Sequence, residues 1–307
     1  MEYILETNAL EKRYHNFSAL NGLTMHIPKG SIYGFVGRNG AGKTTLIRLI
    51  CGLQEPSGGE YLLNGIKCTD RRIIKSRSRI GAVVEAPAIY PEMTAEQNLR
   101  QQNYILKSAD NAEISELLSL VGLDSTGKKK VKNFSLGMRQ RLGIAVALAG
   151  NPEFLILDEP TNGLDPQGII EMRELILKLN AEKGITVLIS SHILDELSRL
   201  ATHYGFIDRG HMLGEMSAEE LEQACRKSIS MNVSDTKILS DVLEDYSIEY
   251  EIIDGNKAKI YAEIQVTELV TRLFSRGCTV YSMRENDESL ESFYMNLVGG
   301  VGNDRTA

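Results

Sequence analysis

One eight-residue stretch, GRNGAGKT at residues 37–44, constrains the fold of this chain more than any other feature. It fits the pattern G-x-x-x-x-G-K-[ST], in which glycines let successive backbone N–H groups point inward and cradle phosphate oxygens. The stretch follows the apolar run SIYGFVG and precedes a helical pattern that begins near Lys43. A helix N-terminus there would add its positive dipole end. The alternative is a glycine-rich turn that matches by chance.

The loop predicts a separate role for each polar residue around the phosphates of a bound nucleotide. Lys43 is expected to reach the β- and γ-phosphates, Thr44 to offer a hydroxyl to Mg²⁺, and Thr45 to add a further donor. The residues expected to line the phosphates are Gly37, Arg38, Asn39, Gly40, Ala41 and Gly42.

A second motif, FLILDEP at residues 154–160, is an apolar run that ends in two carboxylates. Asp158 is expected at the carboxyl end of a strand, where it would hold Mg²⁺, and Glu159 would polarise the attacking water. Asp158 follows Lys43 by 115 residues, enough chain for a sheet and an inserted domain. Alone, two acids at a strand end are also common on protein surfaces.

The order of apolar runs and helical patterns in residues 1–216 predicts an α/β domain of the P-loop NTPase kind. Continuous apolar runs of strand length, such as TVLISSH at 186–192, alternate with helical patterns, which indicates a parallel sheet covered by helices. Residues from about 86 to 150 carry helical patterns without strong strands and predict a helical subdomain. A hairpin turning at Arg209-Gly210 is expected to close the domain.

After Ser217 the pattern changes. Residues 217–300 predict a linker helix and then the order β-α-β-β-α-β with a closing helix, which fits a small α+β domain of the ferredoxin-like kind. The tail, residues 301–307, is expected to be disordered. This accessory domain fits dimer contacts or stability, and a small-molecule sensor is the alternative.

Composition limits the classes of partner. The 34 basic and 41 acidic residues give a net charge of −7, which argues against a nucleic-acid-binding face. No stretch approaches the roughly 20 apolar residues of a membrane span, and the N-terminus has no signal-peptide pattern. The four cysteines lack CxxC spacing, so free thiols in a reducing cytosol are expected.

With these motifs in order, the chain resembles the nucleotide-binding subunits of ABC transporters. The string NFSLGMRQRLGIAVAL (133–148) is similar to the signature of that family, with Ser135 and Gly137 at its serine and second glycine. The resemblance implies that this segment caps the γ-phosphate bound by the opposite subunit, and therefore a head-to-tail homodimer. Leu136 replaces the first glycine of the signature.

Three further positions are assigned through the resemblance. Tyr14 takes the place of the aromatic residue that stacks on adenine, although a half-buried strand tyrosine is the alternative. Asp165, in NGLDP, matches the dimer-contact loop, and His192 matches the histidine that senses the γ-phosphate. His15, His26, His203 and His211 receive no role.

Glu85, in GAVVEAP, stands where the family usually has glutamine, at the joint between the ATPase core and the helical subdomain. The resemblance implies that its oxygen touches Mg²⁺ and the attacking water and that it senses the membrane partner. A glutamate keeps the oxygen but adds charge and loses the N–H₂ donors. The alternative is an acid that simply meets solvent at a strand end.

The resemblance implies an ATP-hydrolysing subunit that powers separate membrane permease subunits from the cytoplasmic side, docked near residues 85–100. The variants EAP, SLGM and TNGLDP, with the C-terminal extension, resemble the bacitracin-resistance and lantibiotic-immunity exporters. The alternatives are a soluble ABC ATPase in DNA repair or translation, or the ATPase of another transport system. The single ATPase half and the acidic charge argue against the nucleic-acid-linked relatives.

Overall fold

The computed structural model of the chain describes residues 2–107, 111–226, 228–261, 266–286 and 290–303. The chain divides into two compact units, residues 1–218 and 219–307. Among the described residues, no helix has the length and apolar character that crossing a membrane requires.

The N-terminal unit contains two sheets and a group of helices. Its strands are β1 (Tyr3–Tyr14), β2 (Phe17–Pro28), β3 (Ile32–Gly37), β4 (Gly58–Leu63), β5 (Ile66–Lys67), β6 (Ile80–Val83), β7 (Phe154–Asp158), β8 (Thr186–Ser191), β9 (His203–Asp208) and β10 (His211–Ser217). Its helices are α1 (Lys43–Ile50), α2 (Ile73–Arg77), α3 (Ala95–Leu106), α4 (Asn111–Leu120), α5 (Leu136–Leu148), α6 (Pro166–Lys183) and α7 (Leu194–Ser198). A further helix, α8 (Ala218–Ala224), begins at the last residue of the N-terminal unit.

The central sheet has the strand order β10-β9-β3-β8-β7-β6, and all neighbours except the β9–β10 hairpin are parallel. Every residue of β3, β7 and β8 is buried, as their continuous apolar runs predict. The predicted parallel α/β core is confirmed. Because parallel strands end on the same side of a sheet, Gly37 and Asp158 lie at one edge.

A second, antiparallel sheet with the order β2-β1-β4-β5 was not predicted from the sequence. Register shifts interrupt the pairing of β1 with β2. They break the alternation of apolar and polar residues that would predict two long strands. One buried cluster joins this sheet to α1 and the central sheet, and it includes Leu5, Leu23, Phe35, Ile47 and Leu188. The antiparallel sheet therefore covers α1, the helix that follows the phosphate loop.

Glu215 on β10 ties the edge of the central sheet to the antiparallel sheet. Its Oε1 accepts hydrogen bonds from the Tyr33 hydroxyl at 2.6 Å and the His26 N–H at 2.8 Å. Its Oε2 lies 3.0 Å from His26 Nδ1. Burial raises the pKa of Tyr33 well above its usual value, and the charge of Glu215 raises it further. Strands β2 and β3 thus share one carboxylate from β10, which follows their contact residues by 189 and 182 positions.

The helical subdomain is formed by α3, α4 and α5, which pack against one another, with two 3₁₀ turns (Asp124–Thr126 and Val131–Asn133) between α4 and α5. Thr94 begins α3 with a capping box, since its hydroxyl accepts from the Gln97 N–H and the Gln97 side chain accepts from the Thr94 N–H. The helical pattern of residues 92–108 predicts one helix here, and residues 108–110 lie outside the described residues.

The helical pattern ILDELSRLATH predicts a helix over residues 193–203, but the helix that forms is shorter. Only Leu194–Ser198 is helical, and β9 already begins at His203. The chain must turn here to join the central sheet, where His203 pairs with Tyr33 and the Thr202 N–H donates to the Ile32 carbonyl. Tertiary pairing therefore overrides the helical pattern.

The C-terminal unit has its own sheet and core. Its elements are β11 (Ser228–Val233), α9 (Thr236–Asp245), β12 (Tyr250–Ile252), β13 (Lys257–Ile260), α10 (Val266–Ser275), β14 (Val280–Asn286) and α11 (Leu290–Asn303). The sheet order is β12-β13-β11-β14 with antiparallel neighbours. The ferredoxin-like class stays an interpretation of this order. Helix α11 continues through Asn303, beyond the expected start of the tail at residue 301, and residues 304–307 lie outside the described residues.

Candidate nucleotide-binding site

The phosphate loop joins the end of β3 to the start of α1, and packing requires two of its glycines. Gly42 has φ 115° and ends the loop as the N-cap of α1. A Cβ on Gly42 would lie 2.7 Å from the Ala19 carbonyl oxygen, and one on Gly37 would lie 2.6 Å from Ile207 Cγ2. Larger residues would force the loop away from the core. Arg38, Asn39 and Gly40 are exposed at the tip of the loop, while Ala41 is buried.

Lys43 is the buried cation of the site, with only 5% of the residue exposed. Its Nζ donates to the Gly37 carbonyl at 2.6 Å and to the Arg38 carbonyl at 3.2 Å. The same atom lies 3.3 Å from Glu159 Oε1. The ammonium is thus held against the loop by neutral acceptors and one carboxylate, where a phosphate could bind it.

Asp158 ends β7 and is 6% exposed. Its Oδ2 accepts from the Thr44 hydroxyl at 2.9 Å, and its Oδ1 accepts from the Ser190 hydroxyl at 2.6 Å. The described residues contain no group of three or more His, Cys, Asp or Glu side chains that could hold a metal. Mg²⁺ binds through one or two carboxylates, phosphates and water, so the carboxylate and hydroxyl oxygens side by side fit this ion.

Glu159 has φ 49°, in the left-handed region that residues with a Cβ seldom adopt. Its N–H donates to the Ser190 hydroxyl at 3.0 Å and the Ser190 carbonyl at 3.2 Å. Its carboxylate lies between a cation and an imidazole, since Oε1 faces Lys43 and Oε2 lies 3.2 Å from His192 Nδ1. Strained backbone held in place by its surroundings is a feature of functional sites.

Glu85 is exposed, and it lies beyond the strand where the sequence places it. Strand β6 ends at Val83, and Glu85 follows with φ 60° and a side chain that is 60% exposed. Arg48 of α1 donates a hydrogen bond to its Oε1. Glu85 nevertheless lines one cleft of about 580 Å³ together with Thr44, Asp158 and Glu159. The structure therefore brings Glu85 to the candidate site, paired with a cation.

We call Lys43, Thr44, Asp158 and Glu159 the phosphate-loop corner. Glu159 contacts both Lys43 and His192, and Asp158 contacts Thr44. Ser190 links the two acids. Thr45 is half-buried in the first turn of α1.

We call Ser135, Gly137 and Asp165 the signature surface. Ser135 and Asp165 are exposed, and each caps its own helix. The Ser135 hydroxyl accepts from the Met138 N–H at 3.2 Å to begin α5, and Asp165 Oδ1 accepts from the Gly168 N–H at 3.1 Å to begin α6. Leu136 lines the cleft and reaches the loop before α6, since a Cβ on Gly163 would lie 3.1 Å from its Cδ2.

Tyr14 makes its described contacts away from the phosphate-loop corner. Its hydroxyl donates to the Gln54 side chain, beyond the C-terminal end of α1, and the Lys12 ammonium lies 5.3 Å from the centre of its ring. The half-buried ring is at the end of β1. The structure thus leaves the stacking role of Tyr14 as a prediction.

Sequence reasoning missed three polar residues around the site. Ser190 contacts both Asp158 and Glu159, Arg48 pairs with Glu85, and Glu196 accepts a hydrogen bond from the Thr161 hydroxyl at 2.6 Å. A signal for Ser190 was present, because two serines interrupt the apolar run TVLISSH. Arg48 and Glu196 lie on helices, and the sequence gives no sign of their partners.

Comparison with known proteins places these motifs in context. The ABC transporter family matches residues 20–162. The chain is 38% identical to the bacitracin transport ATP-binding protein BcrA of Enterococcus faecalis, covering 98% of each chain. It is 40% identical to BcrA of Bacillus licheniformis, covering 98% of this chain and 99% of that protein.

The lantibiotic transport ATP-binding protein SrtF of Streptococcus pyogenes is 41% identical, over 74% of this chain and 97% of that protein. Among solved structures, cbiO1 of Clostridium perfringens, part of an ABC transporter complex, has a TM-score of 0.66 at 26% identity, covering 80% of this chain and 96% of that chain. The dimeric ATP-binding cassette MJ0796 bound to ADP and Pi has a TM-score of 0.63 at 26% identity, covering 70% and 98%.

Proposed function

The chain belongs to the ATP-binding proteins of ABC transporters, and from that premise we propose that it powers the export of peptide antibiotics through a membrane permease. As a member of this family it binds and hydrolyses ATP. The finer assignment is carried by one observation, the end-to-end match to two bacitracin transport proteins. The match to SrtF leaves about a quarter of this chain without a counterpart. The match over nearly the whole chain therefore favours the bacitracin branch.

The chemistry proposed for the phosphate-loop corner follows from its contacts. Lys43 would exchange its contact with Glu159 for the β- and γ-phosphates, which frees the carboxylate to orient water. Glu159 then accepts the proton of the attacking water, and His192, 3.2 Å away, holds the carboxylate in place. Asp158 and Thr44 would hold Mg²⁺, which neutralises phosphate charge, and Glu85 would lend an oxygen from the edge of the cleft.

The signature surface has a role in this proposal only when two subunits meet. Ser135 and Gly137 begin α5, and a helix N-terminus with a hydroxyl and free N–H groups can bind a phosphate. We propose that they cap the γ-phosphate held by the partner subunit, with Asp165 contacting that subunit. ATP would then favour the closed head-to-tail homodimer, because its γ-phosphate meets these groups only there. Tyr14 would stack on adenine.

The partners proposed are permease subunits that hold the ATPase at the inner face of the membrane. Residues 85–100 join the cleft to α3, so force from a closing dimer would reach a permease there. The division into an ATPase domain (1–216, with a helical subdomain at about 86–150) and an accessory domain (217–300) belongs to this proposal. The accessory domain would serve dimer contacts or stability.

Antibiotic susceptibility tests the proposal. The chain is produced together with the permease subunits of a bacitracin transporter in a bacitracin-sensitive bacterium, beside a Glu159→Gln variant at equal abundance. We expect the inhibitory concentration of bacitracin, or of a lantibiotic in a parallel panel, to rise only with the unaltered chain. Equal susceptibility to every peptide antibiotic, with ATPase activity intact, would contradict antibiotic export while leaving family membership in place.

A further inference from the structure

Ser190 is the residue of β8 that pairs with Asp158 in the parallel register of β7 and β8. It has no exposed surface. A hydroxyl at a fully buried position of a central strand is costly unless its hydrogen bonds are made. The contacts that it makes are therefore informative.

The Ser190 hydroxyl connects both acids of the site. It donates to Asp158 Oδ1 at 2.6 Å and lies 3.0 Å from the Glu159 nitrogen, whose N–H donates to it. A serine hydroxyl has one proton to donate, and in this site the carboxylate receives it. One side chain thus fixes one oxygen of Asp158 and the backbone of Glu159.

The two anchored groups need such a support. With Oδ1 fixed by Ser190, the second oxygen of Asp158 is directed at the Thr44 hydroxyl, 2.9 Å away, which is the pair of oxygens that fits Mg²⁺. The left-handed backbone of Glu159, with φ 49°, persists only where neighbouring groups hold it. Both the hydroxyl and the carbonyl of Ser190 accept from the Glu159 N–H.

We propose that Ser190 is a positioning residue for ATP hydrolysis, which orients the Asp158 carboxylate for the metal and the Glu159 carboxylate for water. The inference rests on the roles proposed above for Asp158 and Glu159. Ser190 touches neither nucleotide nor water in this scheme and acts through the two acids. Loss of the hydroxyl is therefore expected to affect kcat and the metal dependence of nucleotide binding more than it affects folding.

Ser31 provides a matched control. It is also a buried serine, 5% exposed, and its hydroxyl donates to the Pro28 carbonyl at 2.7 Å. It lies before β3, at the end of that strand opposite to the phosphate loop. Ser31→Ala removes the same atom from a similarly buried hydrogen bond without touching the site.

The experiment compares Ser190→Ala, Ser190→Thr and Ser31→Ala in the full-length ATPase. The measurements are kcat and KM for ATP, equilibrium binding of a fluorescent ATP analogue in Mg²⁺ or in EDTA, and the unfolding midpoint. For Ser190→Ala we expect kcat to fall about 10- to 100-fold, the usual effect of removing a group that orients a metal ligand. The Mg²⁺ concentration for half-maximal analogue binding should rise several-fold, while binding in EDTA stays unchanged.

Ser190→Thr keeps the hydroxyl and should recover most of the activity and the metal dependence. Ser31→Ala should lower the unfolding midpoint without lowering kcat. The inference is overturned if Ser190→Ala keeps kcat within about twofold, if Ser190→Thr is no more active than the alanine variant, or if Ser31→Ala loses as much activity. Failure of antibiotic export with normal ATPase kinetics concerns only the proposed function, so the two can be told apart.

Discussion

The two halves of the candidate ATP site are built in different ways. In the phosphate-loop corner, side chains from α1 and β7 contact one another, and Lys43 and Asp158 are almost fully buried. In the signature surface, Ser135 and Asp165 are exposed and cap only their own helices. The first half is preorganised within one chain. The second is a surface that has its helix N-termini ready for a group from outside.

The largest effect is expected from Glu159→Gln, which tests the corner itself. An amide cannot accept the proton of the attacking water, so hydrolysis should fall by about 10³-fold, within the usual range for a general base. Nucleotide binding should persist because Lys43 and Asp158 remain. Hydrolysis is measured by the release of phosphate, and nucleotide binding is measured with a fluorescent ATP analogue. The control is Glu153→Gln, because Glu153 immediately precedes β7 at the end of the strand that is opposite to Asp158. This change should leave hydrolysis unchanged.

The next effect is expected from Ser135→Ala, which tests the signature surface. Hydrolysis should fall about 100-fold through a lost phosphate contact, while binding of ATP to a monomer stays intact. The change also removes a helix cap worth about 1 kcal/mol. Thr94→Ala removes the cap of α3 and controls for that loss, since it should lower stability without reducing hydrolysis.

Mixing two inactive variants sharpens the same comparison. In a head-to-tail dimer, a Ser135→Arg subunit supplies an intact corner and a Lys43→Ala subunit supplies an intact signature. The mixture should regain part of the ATPase activity that each variant lacks alone, and the phosphate assay reports it. Activity that stays at the level of the separate variants would mean that the two halves do not meet between chains.

A smaller effect is expected at Glu85, which lines the cleft between the two halves. Glu85→Gln keeps an oxygen but loses the ion pair with Arg48, and an exposed pair contributes at most about 1 kcal/mol, or roughly fivefold in a rate or affinity. ATP affinity should change little, whereas transport per ATP hydrolysed should change more for Glu85→Ala than for Glu85→Gln. If both variants transport normally, the metal and coupling roles of Glu85 are wrong.

The smallest effect concerns Cys51, the C-cap residue of α1. Burial raises the pKa of this thiol from 9.0 to about 12; Arg77 opposes the shift, and Asp158 adds to it. Because the folded pKa is raised, this contribution to the free energy of unfolding is complete below pH 9 and is lost as the pH rises toward 12.

The unfolding midpoint of the wild type, relative to Cys51→Ala, measures this loss. The difference between the two proteins should be constant up to pH 9 and should shift against the wild type above it. Tyrosines that do not interact with Cys51 titrate alike in both proteins and cancel. The pKa of Tyr61 is raised by burial and also by the Cys51 charge, which adds to the difference in the same direction. A relative gain of the wild type at high pH would contradict a raised pKa for the Cys51 thiol.

The sequence predicted the parts of the fold that follow from unbroken patterns. The apolar runs of β3, β7 and β8 and the motif glycines led to the parallel core, and the family comparison confirms it. The antiparallel sheet was not predicted, because register shifts between β1 and β2 break the alternation of apolar and polar residues. The early end of α7 was not predicted, because it depends on the pairing of His203 with Tyr33 of β3, which the local sequence does not show.

For the candidate site, the sequence identified the residue types that phosphate and metal chemistry requires. It could not show that Glu85 lies outside β6 and pairs with Arg48, since nothing local links the two residues. Ser190 was missed for a related reason. Its partners are set by the register of two parallel strands whose pairing residues lie 32 positions apart.

The Glu215 contacts have a consequence for the order in which the protein folds. Glu215 bonds to His26 and Tyr33, which precede it by 189 and 182 residues. Contacts over such separations form late, because the loops that they close are long. During synthesis, the first strands of the chain must therefore wait for their common acceptor until nearly the whole ATPase unit has left the ribosome. Completion of the nucleotide-binding unit is thus coupled to the arrival of its last strand.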